Sequence, residues 1–386
     1  MKLHTLALSA TLTLLGALSI AASAIAQEVN AEIITFDPPG AGTGAYQGTG
    51  CFGCTFGMNQ SGAIAGTYLD ADNVFHGFLR NPEGAFITLD APGADTTPNA
   101  YNGTLAQNIN DKGTIAGLFY DVKGTAHGYL RSAQGVYTTF DVPGAVYGTW
   151  PIFLNLRGDI VGYSLDANLL FHAFLRRQDG EFTTFVGPGS CNSGTPAGCY
   201  GNAATYIDNA GRIIGNFEDN SGNLVGHGLI RGPDGRLTAF DAPGAGTGLY
   251  QGTGCPGCNV GGNRWGAIAG TYTDAGNAFH GFLRGPEGKF IAFEAPGAGS
   301  GAYQGTGCFS DCPVSLNDRG EIAGSYFDSN NVQHGFLRSA TGAFVTVDPP
   351  GSTATQPESI NNAGAIVGYY LDTNNVYHAF LRTQDE

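Results

Sequence analysis

Imidazole and carboxylate recur together along this chain. His76 follows Asp70 by six residues and precedes Asp90 by fourteen. Comparable brackets surround His127 (Asp121, Asp141), His280 (Asp274, Glu294) and His334 (Asp328, Asp348). His227 has Asp241 after it and Asp219 before it across a longer loop, whereas His172 has Asp166 but Val186 where the second acid is due. His378 follows Asp372, and its second acid is Asp37 at the other end of the chain. His beside Asp is the raw material of general-base catalysis, and a protonated imidazole can also donate to a carboxylate from each nitrogen. The second reading suits the repetition, because seven equivalent groups cannot converge on one substrate or one metal. The spacing therefore predicts structural acid–His–acid ladders, each His lying opposite both of its acids on neighbouring strands. Nearby negative charge is expected to raise the imidazole pKa.

The remaining chemistry sits in loops. All eight cysteines fall in close pairs: Cys51 with Cys54, Cys191 with Cys199, Cys255 with Cys258, and Cys308 with Cys312. Such pairs read as local disulfides in an oxidising compartment. Zinc, the reading that "CFGC" and "CPGC" invite, would need two pairs brought together from separate repeats. Three pairs follow nearly one decapeptide: "GTGAYQGTGC", "GTGLYQGTGC" and "GSGAYQGTGC", starting at Gly42, Gly246 and Gly299. Read as connections between repeats, these loops carry Tyr46, Gln47, Tyr250, Gln251, Tyr303 and Gln304. Other connections add Tyr101, Tyr147 and Trp150. A flat aromatic beside an amide suits sugar recognition, and a rigid loop lowers the ordering cost of binding. The same residues can instead brace the loop. A nucleotide loop is excluded, because no Lys and no helix follow the glycines. Loops such as "DADN", "DNSGN", "DSNN" and "DTNN" leave room for weak calcium binding. They offer few carboxylates and no bidentate Glu, and Asx-stabilised turns account for their composition without a metal. No other cofactor is implied.

A repeat carries all of this. The seven histidines stand roughly 50 residues apart, the period of a propeller array; we number the units 1 to 7 by them, from His76 to His378. Unit 2 reads "LAQNIN-DKG-TIAGLFYD-VKGTA-HGYLR-SAQG-VYTTFD-VPG", four strands separated by Gly-bearing turns and ended by Pro-Gly. Unit 7 stops after its third strand at "HAFLRTQDE", while "EIITFDPPGAG" near the N-terminus is a fourth strand without predecessors. Pairing the two removes both exposed sheet edges. The expected fold is all-β: a seven-bladed β-propeller with four strands per blade, one domain over residues 27–386, its last blade completed by residues 32–37.

"HAFLR" at His172 and His378, preceded by "GDIVGYSLD" and "GAIVGYYLD", resembles the extracellular HAF repeat family. The likeness covers nearly the whole chain after residue 26 and implies export and repetition, not an activity. Residues 1–26 read as a signal peptide, with a basic start, an apolar run and small-residue cleavage positions after Ala24 or Ala26. No later run is long and apolar enough to span a membrane. Without Lys2, 16 Lys and Arg face 32 Asp and Glu, a net charge of −16 that argues against nucleic acid and anionic membranes. Together these features predict a secreted or periplasmic monomer, a non-catalytic scaffold whose aromatic loop face contacts extracellular polysaccharide or a protein. The rival readings are a propeller glycan hydrolase or lyase, and a calcium-dependent adhesin.

Overall fold

The computed structural model describes residues 31–51, 53–191, 199, 201–254, 260–308 and 312–384. These form strands, turns and loops, with no helix among the described residues. The expected signal peptide lies outside them. The disulfide expected between Cys255 and Cys258 has no counterpart among the described residues, because Cys255 and Cys258 both fall outside them as well. Unit 2 illustrates the grammar. Thr104–Ile109, Ile115–Tyr120, Ala126–Arg131 and Tyr137–Phe140 pair antiparallel in chain order. The turns close on Gly113 (φ 74°) and Gly135 (φ 87°), a backbone region that glycine enters without steric cost. The second strand of each unit is buried along nearly its whole length. Gly66 there is required, because a Cβ would lie 2.7 Å from the Phe78 ring.

Instead of seven separate four-stranded sheets, the described strands form three hydrogen-bonded sheets of nine, eight and fourteen strands. Single parallel pairs knit the third strand of one unit to the entry of the next: Ala126 with Gly148, Gly226 with Gly252, Phe279 with Gly305 and Tyr377 with Gly48. Backbones approach so closely there that a Cβ on Gly48 would lie 2.1 Å from the Tyr377 carbonyl oxygen. The N-terminal strand Ala31–Phe36 runs antiparallel to Tyr377–Gln384, with Ile33 opposite Arg382 and Phe36 opposite Ala379.

Each pair of neighbouring units shares an apolar cluster. Leu89 of unit 1 packs with Ile109 and Tyr129 of unit 2, and Phe293 of unit 5 with Leu316 and Phe336 of unit 6. Units 7 and 1 share one as well, where Val367, Tyr369 and Tyr377 meet Phe56, Ile64 and Phe78. The non-directional drive to bury these faces thus operates between units as much as within them.

The cysteine loops are placed differently from expectation. In unit 1 both Gly48–Thr49 and Gly57–Met58 pair with Ile64–Leu69, so the Cys51–Cys54 disulfide loop interrupts the first strand rather than connecting units. Units 5 and 6 break their first strands likewise, at Gly252–Thr253/Gly261–Gly262 and Gly305–Thr306/Ser315–Leu316. The "GT" of the decapeptide already belongs to the ladder. Trp150, expected on a connection, likewise stands within the first strand of unit 3, Gly148–Leu154. Only Cys191–Cys199 of unit 4 precedes its first strand, Asn202–Ile207.

Candidate functional site

The histidines sit between their acids with uneven geometry. On the fourth-strand side Nδ1 lies 2.8 Å from Asp90 at His76, 2.9 Å from Asp141 at His127 and 2.8 Å from Asp241 at His227. His334 and His378 stand 2.7 Å from Asp348 and Asp37, and His280 bonds Glu294. On the other side Nε2 is 3.4 Å from Asp70 at His76, 3.6 Å from Asp121 at His127 and 3.6 Å from Asp219 at His227. The corresponding distances are 3.2 Å to Asp274, 3.9 Å to Asp328 and 3.8 Å to Asp372. His172 has Asp166 at 3.1 Å, with Val186 in the position of a second acid.

The loop acids are not directly opposite, as the sequence reading had them. Tyr68 faces His76 across the ladder, and the two rings stack with centroids 5.1 Å apart. Phe119, Phe217, Tyr272, Tyr326 and Tyr370 occupy the same place beside the other histidines, and Ser164 does beside His172. Asp70 reaches the imidazole diagonally because its loop is short: Asp70 N–H bonds the Val74 carbonyl, leaving three residues in the loop. Asp70 Oδ1 accepts from the N–H groups of Asp72 and Val74, and Oδ2 faces the His. Asp121, Asp166, Asp274, Asp328 and Asp372 cap their loops in the same way. One oxygen of each loop carboxylate is therefore engaged in turn formation.

The hydrogen bond that His76 donates to Asp90 raises the His76 pKa despite partial burial, and the one to Asp241 does so for His227. At His280 burial opposes the charge, but bonds to Glu294 and Asp274 outweigh it and the pKa is raised. Burial also opposes ionisation of Asp121, Asp166, Asp219 and Asp274. Loop N–H, hydroxyl and imidazole donors outweigh it and hold those carboxyls below the usual range.

In the decapeptide loops, the tyrosines and glutamines separate. Gln47 Oε1 accepts from Gly44 N–H, while its Nε2 donates to Ala71 O and Asn73 Oδ1. Gln251 and Gln304 repeat these bonds with Gly248, Ala275 and Asn277, and with Gly301, Ser329 and Asn331. All three amides tie their own loop to the second-to-third-strand loop of the same unit. The tyrosine rings turn outward: Tyr46 is 61% and Tyr303 58% exposed, with Tyr250 half-buried. Tyr46, Tyr101, Tyr250 and Tyr303 all have φ between 54° and 62°, a left-handed conformation that costs a bulky residue about 1–3 kcal/mol. The surrounding bonds hold it, since Tyr46 N–H donates to Asn375 O and Tyr303 N–H to Asn277 O in the preceding unit.

Two pockets open among these loops. The larger, about 760 Å³, is lined by Tyr250, Phe279, Tyr303, Gln333, Gln356 and the Cys308–Cys312 disulfide, among others. The other, about 440 Å³, is lined by Tyr101, Tyr120, Trp150, Tyr163 and Cys51; there Trp150 stacks on Tyr163 at 5.5 Å. No charged side chain is among the described residues lining either one. Tyr46 and Gln47 line neither. A third cavity of about 360 Å³ is lined by residues in and beside the first strands of all seven units, from Thr55 to Asn362. Cys191, Cys199 and Glu218 come close enough together to suggest a metal, but the two sulfurs are already joined to each other.

Gln333 and Gln356 were not anticipated. The signal was present: the residue before the repeat His is Phe, Ala, Gly or Tyr in six units and Gln only in unit 6.

No family model and no curated protein matches the sequence. Among solved structures, the chain is similar to the β-propeller domain of the trilobed protease from Pyrococcus furiosus, described as having an open velcro topology. The TM-score is 0.53 at 8% identity, covering 86% of this chain and 96% of that one. It is similar also to the BP39L lectin from Burkholderia pseudomallei, with a TM-score of 0.52 at 11% identity, covering 84% and 93%. The fold is a β-propeller. Identities this low carry nothing beyond that. The propeller's three disulfides among the described residues fit an extracellular or periplasmic protein, and none of its described segments is a helix long and apolar enough to cross a membrane.

Proposed function

We propose that this chain is an exported, seven-bladed ring over residues 27–386 that binds extracellular polysaccharide without transforming it, as a member of the HAF repeat family. The observation carrying the binding reading is the larger pocket: without a charged side chain among its described lining residues, walled by Tyr250 and Tyr303, and stiffened by the Cys308–Cys312 disulfide. Its volume lies within the range of small-ligand sites. Strain held at exposed aromatic tips is a mark of functional loops, and four tyrosines share it here. The smaller pocket, with Tyr101 and Trp150, repeats the design between other units, which suits a multivalent binder better than an enzyme. That the BP39L neighbour is named a lectin agrees with this reading without carrying it.

The ring is supported by a belt of hydrogen bonds at the ends of the first strands. Asn59 Nδ2 donates to Asn110 O, Asn110 to Asn155 O and Asn155 to Asp208 O. Arg212 then reaches Asn263 O, and Asn263 and Asn317 donate to Asn317 O and Asn361 O. Asn362 N–H returns to Gln60 Oε1.

Titration calorimetry against a panel of soluble polysaccharides tests the function. The intact protein is expected to bind at least one without releasing reducing ends. Tyr303→Ala and Tyr250→Ala should each weaken binding about ten-fold, as loss of an aromatic anchor does. Silence across the panel, or binding indifferent to both substitutions, would sink the proposal.

A further inference from the structure

We infer that a buried relay, Glu358–Gln356–Gln333, decides what the larger pocket accepts: it presents an amide oxygen as acceptor and so selects a neutral sugar that offers a hydroxyl donor. This rests on the glycan-binding reading of that pocket.

The relay starts at Glu358, which is 6% exposed on the first strand of unit 7. An ionised carboxylate only accepts hydrogen bonds. Gln356, whose Nε2 lies 2.9 Å from Glu358 Oε1, must therefore turn its NH₂ toward it. Gln356 Oε1 is then an acceptor, met by Gln333 Nε2 at 3.1 Å. The same Nε2 approaches Ser325 Oγ at 3.3 Å and Cys312 Sγ at 3.6 Å. The accepting oxygen of Glu358 thus orients both amides, an orientation otherwise assigned only from the surrounding network. The polar atom left over is Gln333 Oε1, on a residue that lines the pocket, and whatever it meets must donate.

The pocket's other walls sharpen the choice. Tyr250, Phe279, Tyr303 and Leu249 offer flat or apolar surface to the C–H face of a sugar. A uronate or sialate would bring a carboxylate to an acceptor with no cation among the described lining residues, on a chain of net charge −15. Such a group loses hydration without compensation. Gln333 is also the one amide side chain among the seven at its repeat position, so the relay is specific to this pocket rather than part of the scaffold.

Two measurements test this on the full chain. Side-chain amide NMR of the ligand-free protein should show the Gln333 and Gln356 NH₂ groups protected from exchange. In Glu358→Gln that protection should fall and the resonances move. Unchanged resonances in a folded Glu358→Gln protein would overturn the relay whether or not any sugar binds. The second measurement is titration with methyl glucoside, galactoside and mannoside, their monodeoxy forms and their uronates. A neutral glycoside should bind, one of its deoxy forms should bind about ten-fold more weakly, and that difference should vanish in Gln333→Leu. Uronates binding as tightly as neutral glycosides would overturn the ligand assignment. Silence toward every glycoside with the amides still protected would refute both the glycan reading and that assignment, while leaving the relay standing as structure. Gln333→Leu, which leaves Glu358 and Gln356 in place, decides the matter if Glu358→Gln fails to fold.

Discussion

Six of the seven repeat imidazoles are sandwiched between two acids and lie against an aromatic ring, whereas His172 has Asp166 with Val186 in the second acid's place. At three of them protonation is linked to folding. His76, His227 and His280 titrate above their ordinary value in the folded chain. Their contribution to stability is complete below the unfolded imidazole value of about 6.5 and is lost as pH rises through the raised folded values. The loop carboxyls act in the opposite sense. Asp121, Asp166, Asp219 and Asp274 are held low, so their contribution exists above about pH 4 and disappears as pH falls through the depressed values. Thermal unfolding followed from pH 3 to 9 should give a maximum in the mildly acidic range. His76→Gln should flatten the alkaline limb, and a midpoint that climbs steadily from pH 6 to 9 would contradict the assignment. At the loop tips, Gln304→Ala removes the bonds to Gly301, Ser329 and Asn331. The expected effect is weaker glycan binding with little change in melting temperature, because the bonds hold a surface loop. Equal loss of both would mean that the loop is part of the core.

At the scale of strands, the Asn that ends the first strand has two jobs in units 1, 2, 3, 5 and 6. Asn263 Oδ1 accepts from Trp265 and Ala267 N–H groups to shape its own turn, and Nδ2 crosses to Asn317 O. Unit 4 separates the two. Asp208 keeps the turn bonds but has no donor, and the crossing is made by Arg212, which is paired to Asp208 at 3.0 Å. Asn263→Ala, which leaves turn N–H groups unpaired, should destabilise by about 1–3 kcal/mol. Asn263→Asp should cost less, and denaturant midpoints would rank the two; the reverse order would show that the crossing bond outweighs the turn. The Asn–x–x–Gly turn was readable in the sequence, because turn chemistry is local. Its crossing bond was not, since the partner lies a whole repeat away. For the same reason the His–fourth-strand register could be counted from a turn of known length. The second-to-third-strand register was misjudged by two residues, because Asn73 at φ 59° closes a three-residue loop. The cysteine loops of units 1, 5 and 6 were misplaced because "GT" between glycines looks like turn and is ladder. Gln333 was visible as an odd letter in the repeat, but its meaning depends on Glu358 and Gln356, brought in from the next unit.

For the whole molecule, the decisive feature is the meeting of the chain ends. Ala31–Phe36 pairs along its full length with Tyr377–Gln384. Phe36 packs against the cluster shared by units 1 and 7, and the Arg80 guanidinium stands 4.9 Å over the Phe36 ring. Asp37, one residue on, holds both His378 and the Thr49 hydroxyl of unit 1, so the two ends are tied through side chains as well as backbone. Residues 31–37 therefore hold the junction between units 7 and 1, and their removal takes away a strand, a half-buried ring and an acid together. The remaining edge at Tyr377–Gln384 would present unpaired N–H and C=O groups, a template for pairing with another chain. A protein beginning after Asp37 is expected to melt several degrees lower than the intact chain, at about 2–4 °C per kcal/mol for a chain of this size or somewhat smaller. It should also self-associate in light scattering. A synthetic peptide spanning residues 31–37 should restore both properties when added in excess, because it refills the edge without changing the rest of the chain. A truncated protein that scatters light and melts as the intact one does would mean that the two ends meet without holding units 7 and 1 together.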